Sequence, residues 1–288
     1  MYCMLEIRDN SIRSLREVPD DLRNRIIGAN DNCNILFTLE LEMTYAEKAF
    51  SKFDSWCADA DDAGERIGEN LRDAEGLCRD FLSAFRSYVD HGNTMLRQRY
   101  RNDPSHANLF HQLTDQYYRS KQPYSFVAIL RNYAQHCQNV VHSFLNRDAE
   151  GMHPAAVPAK LLEEYTRWED FSRNYIRSSA NPLDLRSEFH GALVQLHEIH
   201  EQIMNHFLNL DSRAEDIRFL TNFAEQNYGR DNLSCYHLAK ILHKDGGEAT
   251  IAQFREGKGG GFEAVYLDWT TIFTIYDKFL SGEQDANT

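Results

Sequence analysis

The stretch Leu130-Arg131-Asn132-Tyr133-Ala134-Gln135-His136 sets a permanent cation and a near-neutral titrating group five residues apart. On a helix that spacing is about one and a half turns, so the two side chains share a flank without being direct neighbours. The pair suits phosphate chemistry. The planar fork of Arg131 can stabilise charge growing on phosphorus, and His136 can take or deliver a proton. Cleavage of RNA by its own 2′-OH needs those two functions. Asn132 is placed to orient the histidine or to hold a phosphate oxygen, while Tyr133 and Gln135 fall on other faces and pack or cap. One such pair per subunit is a thin site. Two copies meeting across a two-fold axis would build a composite cleft, which points to a homodimer. The competing reading is structural: Arg131 pairs with a buried carboxylate and His136 is a satisfied core histidine.

Other residues bear on the same chemistry. Arg97, Arg99 and Arg101, with Arg119 and Lys121 further on, form a basic island just ahead of the motif, and Arg97, Arg101, Arg119 and Lys121 are the candidate RNA contacts. The plainer reading of that island is a solvated helix end with cations favourably near its C-terminus. His190, His197, His200 and His206 fall on one helix, with Glu201 four residues beyond His197. A metal site needs three or four convergent ligands, and no H-E-x-x-H pattern is present, so no metal or other cofactor is expected. Gly257-Lys258-Gly259-Gly260-Gly261 lacks the order of a phosphate-binding loop and reads as a flexible connection.

The elements that must position these groups read as helix after helix. From Asn34 to Cys57, Leu36, Leu39, Met43, Ala46, Phe50 and Phe53 follow amphipathic 3–4 spacing. The acidic run 59–64 breaks the pattern, with Asp62 as a cap for the next helix. A long helix over 65–101 ends at Asn102-Asp103-Pro104, and a short helix spans 106–118. Pro123 opens the buried helix that bears the motif. Residues 139–144 are β-branched and extended, and 151–154 reads as a loop. Helices come next over 158–178 and 183–209, the second with a heptad-like stripe. Helical spacing continues past Asp211 to Phe223. Polar or glycine-rich interruptions fall at 222–233 and 244–261. A short strand over 262–268 and a closing helix over 270–280 complete the chain. The expectation is a mainly α protein with a short β element: an N-terminal segment 1–30, a helical domain 31–225, and a C-terminal elaboration 226–288 packed on it.

Composition narrows the class. The chain has 288 residues, 42% hydrophobic and 12% aromatic, enough to bury a large core and unlike a disordered protein. No run of 18 apolar residues exists and no secretory leader is visible, so no membrane association is expected. Six cysteines lie scattered with no C-x-x-C pair, which reads as reduced thiols and a cytoplasmic location. A net charge of −13 counts against general coating of nucleic acid, but leaves room for one local basic site.

The segment Phe81-Leu82-Ser83-Ala84-Phe85-Arg86-Ser87-Tyr88-Val89-Asp90-His91, followed by a basic helix end, a polar link and the run from Tyr124 to His136, resembles the HEPN (higher eukaryotes and prokaryotes nucleotide-binding) superfamily. The likeness is to its bacterial members with an Arg-Asn-Tyr-x-x-His signature. The hallmark is R-x4–6-H with a polar residue directly after the arginine, and Arg131, Asn132 and His136 fill those positions. The resemblance covers a third of the chain clearly. It implies an all-α bundle with additional C-terminal helices here. It further implies a metal-independent endoribonuclease, active as a dimer in toxin–antitoxin or phage-defence systems, with a cognate antitoxin or other protein as partner. Asp90 would be the acidic group that such proteins supply from another helix, with Asp80 its rival. Many members are not catalytic, so the alternative is a helical protein-interaction module on a HEPN scaffold, with Arg131 sealed in a carboxylate pair.

Overall fold

Burial on a 3–4 rhythm shapes the middle of the chain. Ala74, Cys78, Phe81, Leu82, Phe85, Val89 and Leu96 are all buried along a helix that runs Ile67–Arg99. Asp103 starts a separate helix after it: the aspartate side chain accepts from Ser105 N–H at 3.1 Å, and Pro104 supplies the first helical residue. The computed structural model describes residues 2–8, 11–59, 67–136, 139–146, 151–228, 236–241, 262–265 and 267–281. Among these the protein is mainly α-helical with two small antiparallel sheets. The order is β1 (Tyr2–Arg8), β2 (Ser11–Glu17), α1 (Asp20–Asp59), α2 (Ile67–Arg99), α3 (Pro104–Ala107), α4 (Leu109–Ser120), α5 (Gln122–His136), β3 (Ser143–Asn146) and β4 (Met152–Ala156). Then come α6 (Pro158–Glu164), α7 (Asp170–Ser178), β5 (Leu183–Asp184), α8 (Leu185–Leu208), α9 (Arg213–Tyr228), β6 (Tyr236–Ile241), β7 (Phe262–Val265) and α10 (Trp269–Phe279). The chain divides into two compact units, residues 41–204 and residues 1–40 with 205–288.

In the unit 41–204, an aromatic core joins the helices. Phe81 and Phe189 lie 4.7 Å apart between ring centroids, Phe53 and Phe189 5.2 Å, and Phe85 and Tyr124 5.1 Å. Helix α5 is buried on most of its circumference, through Tyr124, Phe126, Val127, Ile129, Leu130, Tyr133 and Ala134. Its exit is clamped to α2. The buried Glu75 carboxylate accepts from the N–H groups of Val140 (2.8 Å) and Val141 (3.0 Å) and from Arg79 Nε (2.8 Å). Arg79 in turn donates to the Ala134 carbonyl at 2.7 Å. The chain then enters the sheet β3-β4-β5, with Phe144 opposite Pro154 and Ala155 opposite Asp184.

In the unit formed by 1–40 and 205–288, strands from both ends of the chain make one sheet in the order β2-β1-β6-β7, with Met4 opposite Leu238 and Leu238 opposite Val265. Arg213 is fully buried at the start of α9. Its guanidinium donates to the carbonyls of Asn32 (2.9 Å) and Phe207 (3.2 Å) and to the Asp211 carboxylate (3.1 Å). Asp268 caps α10 by accepting from Thr271 N–H.

Several expectations need correction. Residues 151–154 do not form a loop; from Met152 they are the central strand β4, in which Pro154 sits. The helix expected over 158–178 is two, because Trp168 turns inward and its Nε1 donates to the Leu161 carbonyl at 2.8 Å, capping α6. The short helix over 106–118 is likewise split at Asn108. Helix α9 continues to Tyr228 through the supposed interruption at 222–233. Helix α1 begins at Asp20, well before Asn34. The acidic residues 60–64 with Asp62, and the glycine-rich run 244–261, lie outside the described residues. Cys33, Cys57 and Cys78 are free and buried, and burial pushes the thiols of the first two up to about 12 and that of Cys78 well above its usual value.

Helices α2 and α4 meet at Gly92. A Cβ there would lie 2.7 Å from Cζ of Phe110, a ring with no exposed surface to retreat into. Gly92→Ala gains up to about 1 kcal/mol of helix propensity but incurs overpacking of about 1–3 kcal/mol. At a contact this short the overpacking wins. Urea unfolding is expected to show a lower midpoint for the variant, and an unchanged or raised midpoint would refute this packing account.

Candidate functional site

Three helices with different apolar stripes leave a cleft where their polar edges meet. Helix α2 contributes Phe85, Arg86, Val89, Asp90, Asn93, Thr94 and Arg97; α4 contributes His111, Thr114, Asp115 and Tyr118; α5 contributes Tyr124, Ala128, Ile129 and Asn132. The cleft encloses about 480 Å³, within the range of roughly 300–1,000 Å³ typical of small-molecule sites. The buried Phe85, Val89, Tyr124 and Ile129 give it an apolar floor. Above them Arg86 Nε donates to Asp90 Oδ2 at 2.8 Å, a pair one helical turn apart. Arg97 is exposed in the last turn of α2, where a cation is favoured by the helix dipole. Asn93 Oδ1 is buried and has no hydrogen-bond partner. Burial and the neighbouring Glu169 carboxylate push the Tyr118 phenol well above its ordinary range, so it keeps its proton and serves as a donor and a ring face.

The cleft brings together three of the residues singled out in the sequence, Asn132, Asp90 and Arg97, and leaves the others elsewhere. Arg131 donates to the Gln135 side-chain oxygen on the next turn of α5, and its Nε is buried without a partner. His136 is exposed at the last residue of α5. Five residues at 100° each leave about 140° between the two, so Arg131 and His136 diverge within one helix. His136 instead follows Asn132 by four residues along the same row. Asp80 is exposed on α2 and does not line the cleft. Of the basic island, Arg99 and Arg101 are exposed outside the cleft, Arg119 pairs with Asp115 at 3.1 Å, and the Lys121 ammonium lies 5.9 Å from the centre of the Tyr117 ring. His91 is engaged by Glu42 at 2.7 Å.

Sequence reasoning missed Arg86 and His111. Arg86 and Asp90 are an i, i+4 pair, which was legible. His111, Thr114, Asp115 and Tyr118 share one face of α4 by their 3–4 spacing, a signal that becomes visible once that helix is taken as a wall rather than a connector.

The histidines of α8 disperse. His190 rests against Phe50, His197 lies 3.5 Å from Glu47, and buried His200 shares a 3.0 Å hydrogen bond with Tyr88. Among the described residues, no three histidine, cysteine or acidic side chains gather as metal ligands.

A second polar cluster occupies the start of α8. Asp184 Oδ1 accepts from the N–H groups of Arg186 (3.0 Å) and Ser187 (3.4 Å), while Oδ2 accepts from His153 Nδ1 at 2.9 Å. Arg186 donates to His153 Nε2 (2.9 Å) and to Asp54 Oδ1 (2.6 Å), which fixes the imidazole proton on Nδ1. Both carboxylate oxygens of Asp184 and both ring nitrogens of His153 are engaged within this cluster. It ties α1, β4 and α8 together.

No protein-family model matches the chain, and no curated protein or solved structure matches it.

The Asp184 network has a pH signature. Burial works against the Asp184 charge, but the hydrogen bonds from His153, Ser187 and Arg186 outweigh it and hold the carboxyl below its ordinary 3.8. A carboxyl with a lowered folded-state pKa contributes stability that is present above the unfolded value and lost as pH falls through the folded one. Asp184→Asn keeps a capping oxygen but loses the carboxylate's charge, and is expected to cost about 1–2 kcal/mol at neutral pH through the weakened hydrogen bond from His153. The gap to wild type should narrow as pH drops below about 4. Urea midpoints measured at neutral pH and through the acid range check this, and a gap that stays constant would contradict it.

Proposed function

We propose that the protein is a HEPN-like RNA-binding protein acting as a metal-independent endoribonuclease, with one nucleotide of the RNA seated in the α2–α4–α5 cleft. The observation that carries this reading is the gathering of Asn132, from the arginine–histidine motif, with Arg86, Asp90, Arg97 and His111 in one cleft of nucleotide size. Cations, an amide, an imidazole and an apolar floor are the groups that phosphate, base edge, proton transfer and base face each require. In this reading Arg97 meets a phosphate at the rim. Asp90 holds Arg86 toward the cleft through their ion pair. His111 and His136 are the two proton carriers, the first in the cleft and the second one turn beyond Asn132. Arg131, with Nη1 tethered to Gln135 and Nε buried, offers its Nη2 donors to an adjoining phosphate. A homodimer would double the row of groups, and a cognate antitoxin or other protein partner in a bacterial defence setting belongs to the same proposal.

The non-catalytic alternative expects a sealed Arg131–carboxylate pair. Arg131 donates to an amide instead, so nothing in the site favours that alternative.

Cleavage of a mixed RNA pool in EDTA tests the proposal. Wild type is expected to cut without added metal. The histidine that transfers the proton should, on replacement by alanine (His111→Ala or His136→Ala), reduce the rate about 10²–10⁴-fold with folding preserved. Arg97→Ala should flatten the dependence of log affinity on log salt for single-stranded RNA by about 0.7. Cleavage that vanishes on chelation and returns with metal would overturn the proposal, as would full activity in both histidine variants.

A further inference from the structure

A backbone N–H can only donate, so the atom it points at must carry a lone pair. The Val157 N–H donates to His142 Nδ1 at 3.0 Å, which makes the imidazole neutral with its single proton on Nε2. Nε2 lies 3.4 Å from the hydroxyl of Tyr133, a residue of the motif helix α5. That hydroxyl donates to the carboxylate of Glu164, the last residue of α6, with the Asn139 carbonyl a longer contact at 3.4 Å. A phenol oxygen accepts while it donates, so Nε2–H has an acceptor in Tyr133. Val157 is the residue just before α6, where its own side chain cannot cap the helix and Pro158 brings no N–H. The join between β4 and α6 is held by an imidazole from outside both elements.

We infer that His142 is a proton-operated latch, which holds the join of β4 and α6 closed when neutral and lets it open locally when protonated. The reason is one of hydrogen-bond polarity. A protonated imidazole has a donor on each nitrogen and no acceptor. The half-buried Val157 N–H would then face another N–H and lose its partner. The Tyr133 side of the ring is unaffected, because Nε2 donates in both forms. The device goes beyond the ribonuclease reading and does not depend on it.

The groups that bear on the ring come from three helices: Lys160 and Glu164 on α6, Glu75 on α2, and Tyr133 on α5. Burial, and then the Lys160 ammonium, hold His142 below its ordinary 6.5 against the pull of the Glu164 and Glu75 carboxylates. The latched form therefore predominates at neutral pH. A histidine whose folded-state pKa is lowered contributes stability that is present above the unfolded value and lost as pH falls through the folded one. Opening thus runs in the acid direction only.

The experiment follows two NMR signals of the full chain from neutral pH down to the onset of global unfolding. One is the imidazole nitrogen shifts of His142; the other is hydrogen exchange at the Val157 amide, expressed as protection relative to an unstructured amide. Wild type is expected to show the Nε2–H tautomer at neutral pH. As His142 takes up its proton, Val157 protection should fall about five- to tenfold, the loss of one hydrogen bond. His142→Asn puts an amide oxygen near the Nδ1 position that takes up no proton in this range, so Val157 protection should there stay constant within about twofold. Lys160→Gln removes the cation beside the ring and should move the His142 midpoint to higher pH. A proton on Nδ1 at neutral pH, a ring that stays neutral until global unfolding, or Val157 protection unchanged while His142 titrates would each overturn the inference, and wild type alone decides all three. An equal fall in protection in a folded His142→Asn would assign the effect to another group and overturn it as well.

Discussion

One buried carboxylate governs how the motif helix is presented. Glu75 is 8% exposed and takes two backbone N–H groups from Val140 and Val141, donors that would otherwise lie buried and unpaired at the exit of α5. Its other oxygen fixes Arg79, which closes the clamp on the Ala134 carbonyl. A helix held at its end and buried along most of its circumference has no freedom to rotate about its axis. Its rotational phase is thereby set: Asn132 faces the cleft, and Arg131, 100° away, does not. The chemistry open to the site follows from that phase more than from the identities of the two most reactive residues.

That phase also explains what could be read from the sequence. Amphipathic spacing located the helices because burial on one face is a local signal, as with Phe81, Phe85 and Val89 on α2. The pairing of Met4 with Leu238 was illegible, because a strand's partner more than two hundred residues away leaves no periodic trace in either segment. Pro154 in the middle strand of its sheet reads locally as a loop breaker, and only the pairing with Phe144 across β3 reveals the strand. Trp168 looks like one more apolar residue in a helix, yet its indole N–H ends α6. At the site, a five-residue interval drew attention to Arg131 and His136, while the four-residue intervals that place groups on one row, Arg86 with Asp90 and Asn132 with His136, carry the geometry. The orphaned oxygen of Asn93 has no sequence signature, since satisfaction of a hydrogen bond is a property of the folded neighbourhood.

The acidic balance of the chain bears on the cleft in an unexpected direction. A net charge of −13 repels a polyanion at long range, but screening at physiological salt limits that field to about 8 Å. Inside that distance the local set decides, and the exposed Arg97 beside the internally compensated Arg86–Asp90 pair leaves the rim cationic. In the proposed ribonuclease reading, the acidic balance would keep general affinity for nucleic acid weak while the rim supplies the local contact.

The two polar clusters of the unit 41–204 show why saturation separates scaffold from site. Around Asp184, one oxygen caps α8 and the other accepts from His153, while Arg186 bridges His153 and Asp54. A ligand entering there would have to break bonds worth about as much as those it could offer. In the α2–α4–α5 cleft the balance runs the other way. Arg97 lies open to solvent. In the proposed reading a phosphate at Arg97 gains a contact without displacing an existing one, so the open cation at the rim, and not the number of charged residues near it, sets this cleft apart from the Asp184 cluster.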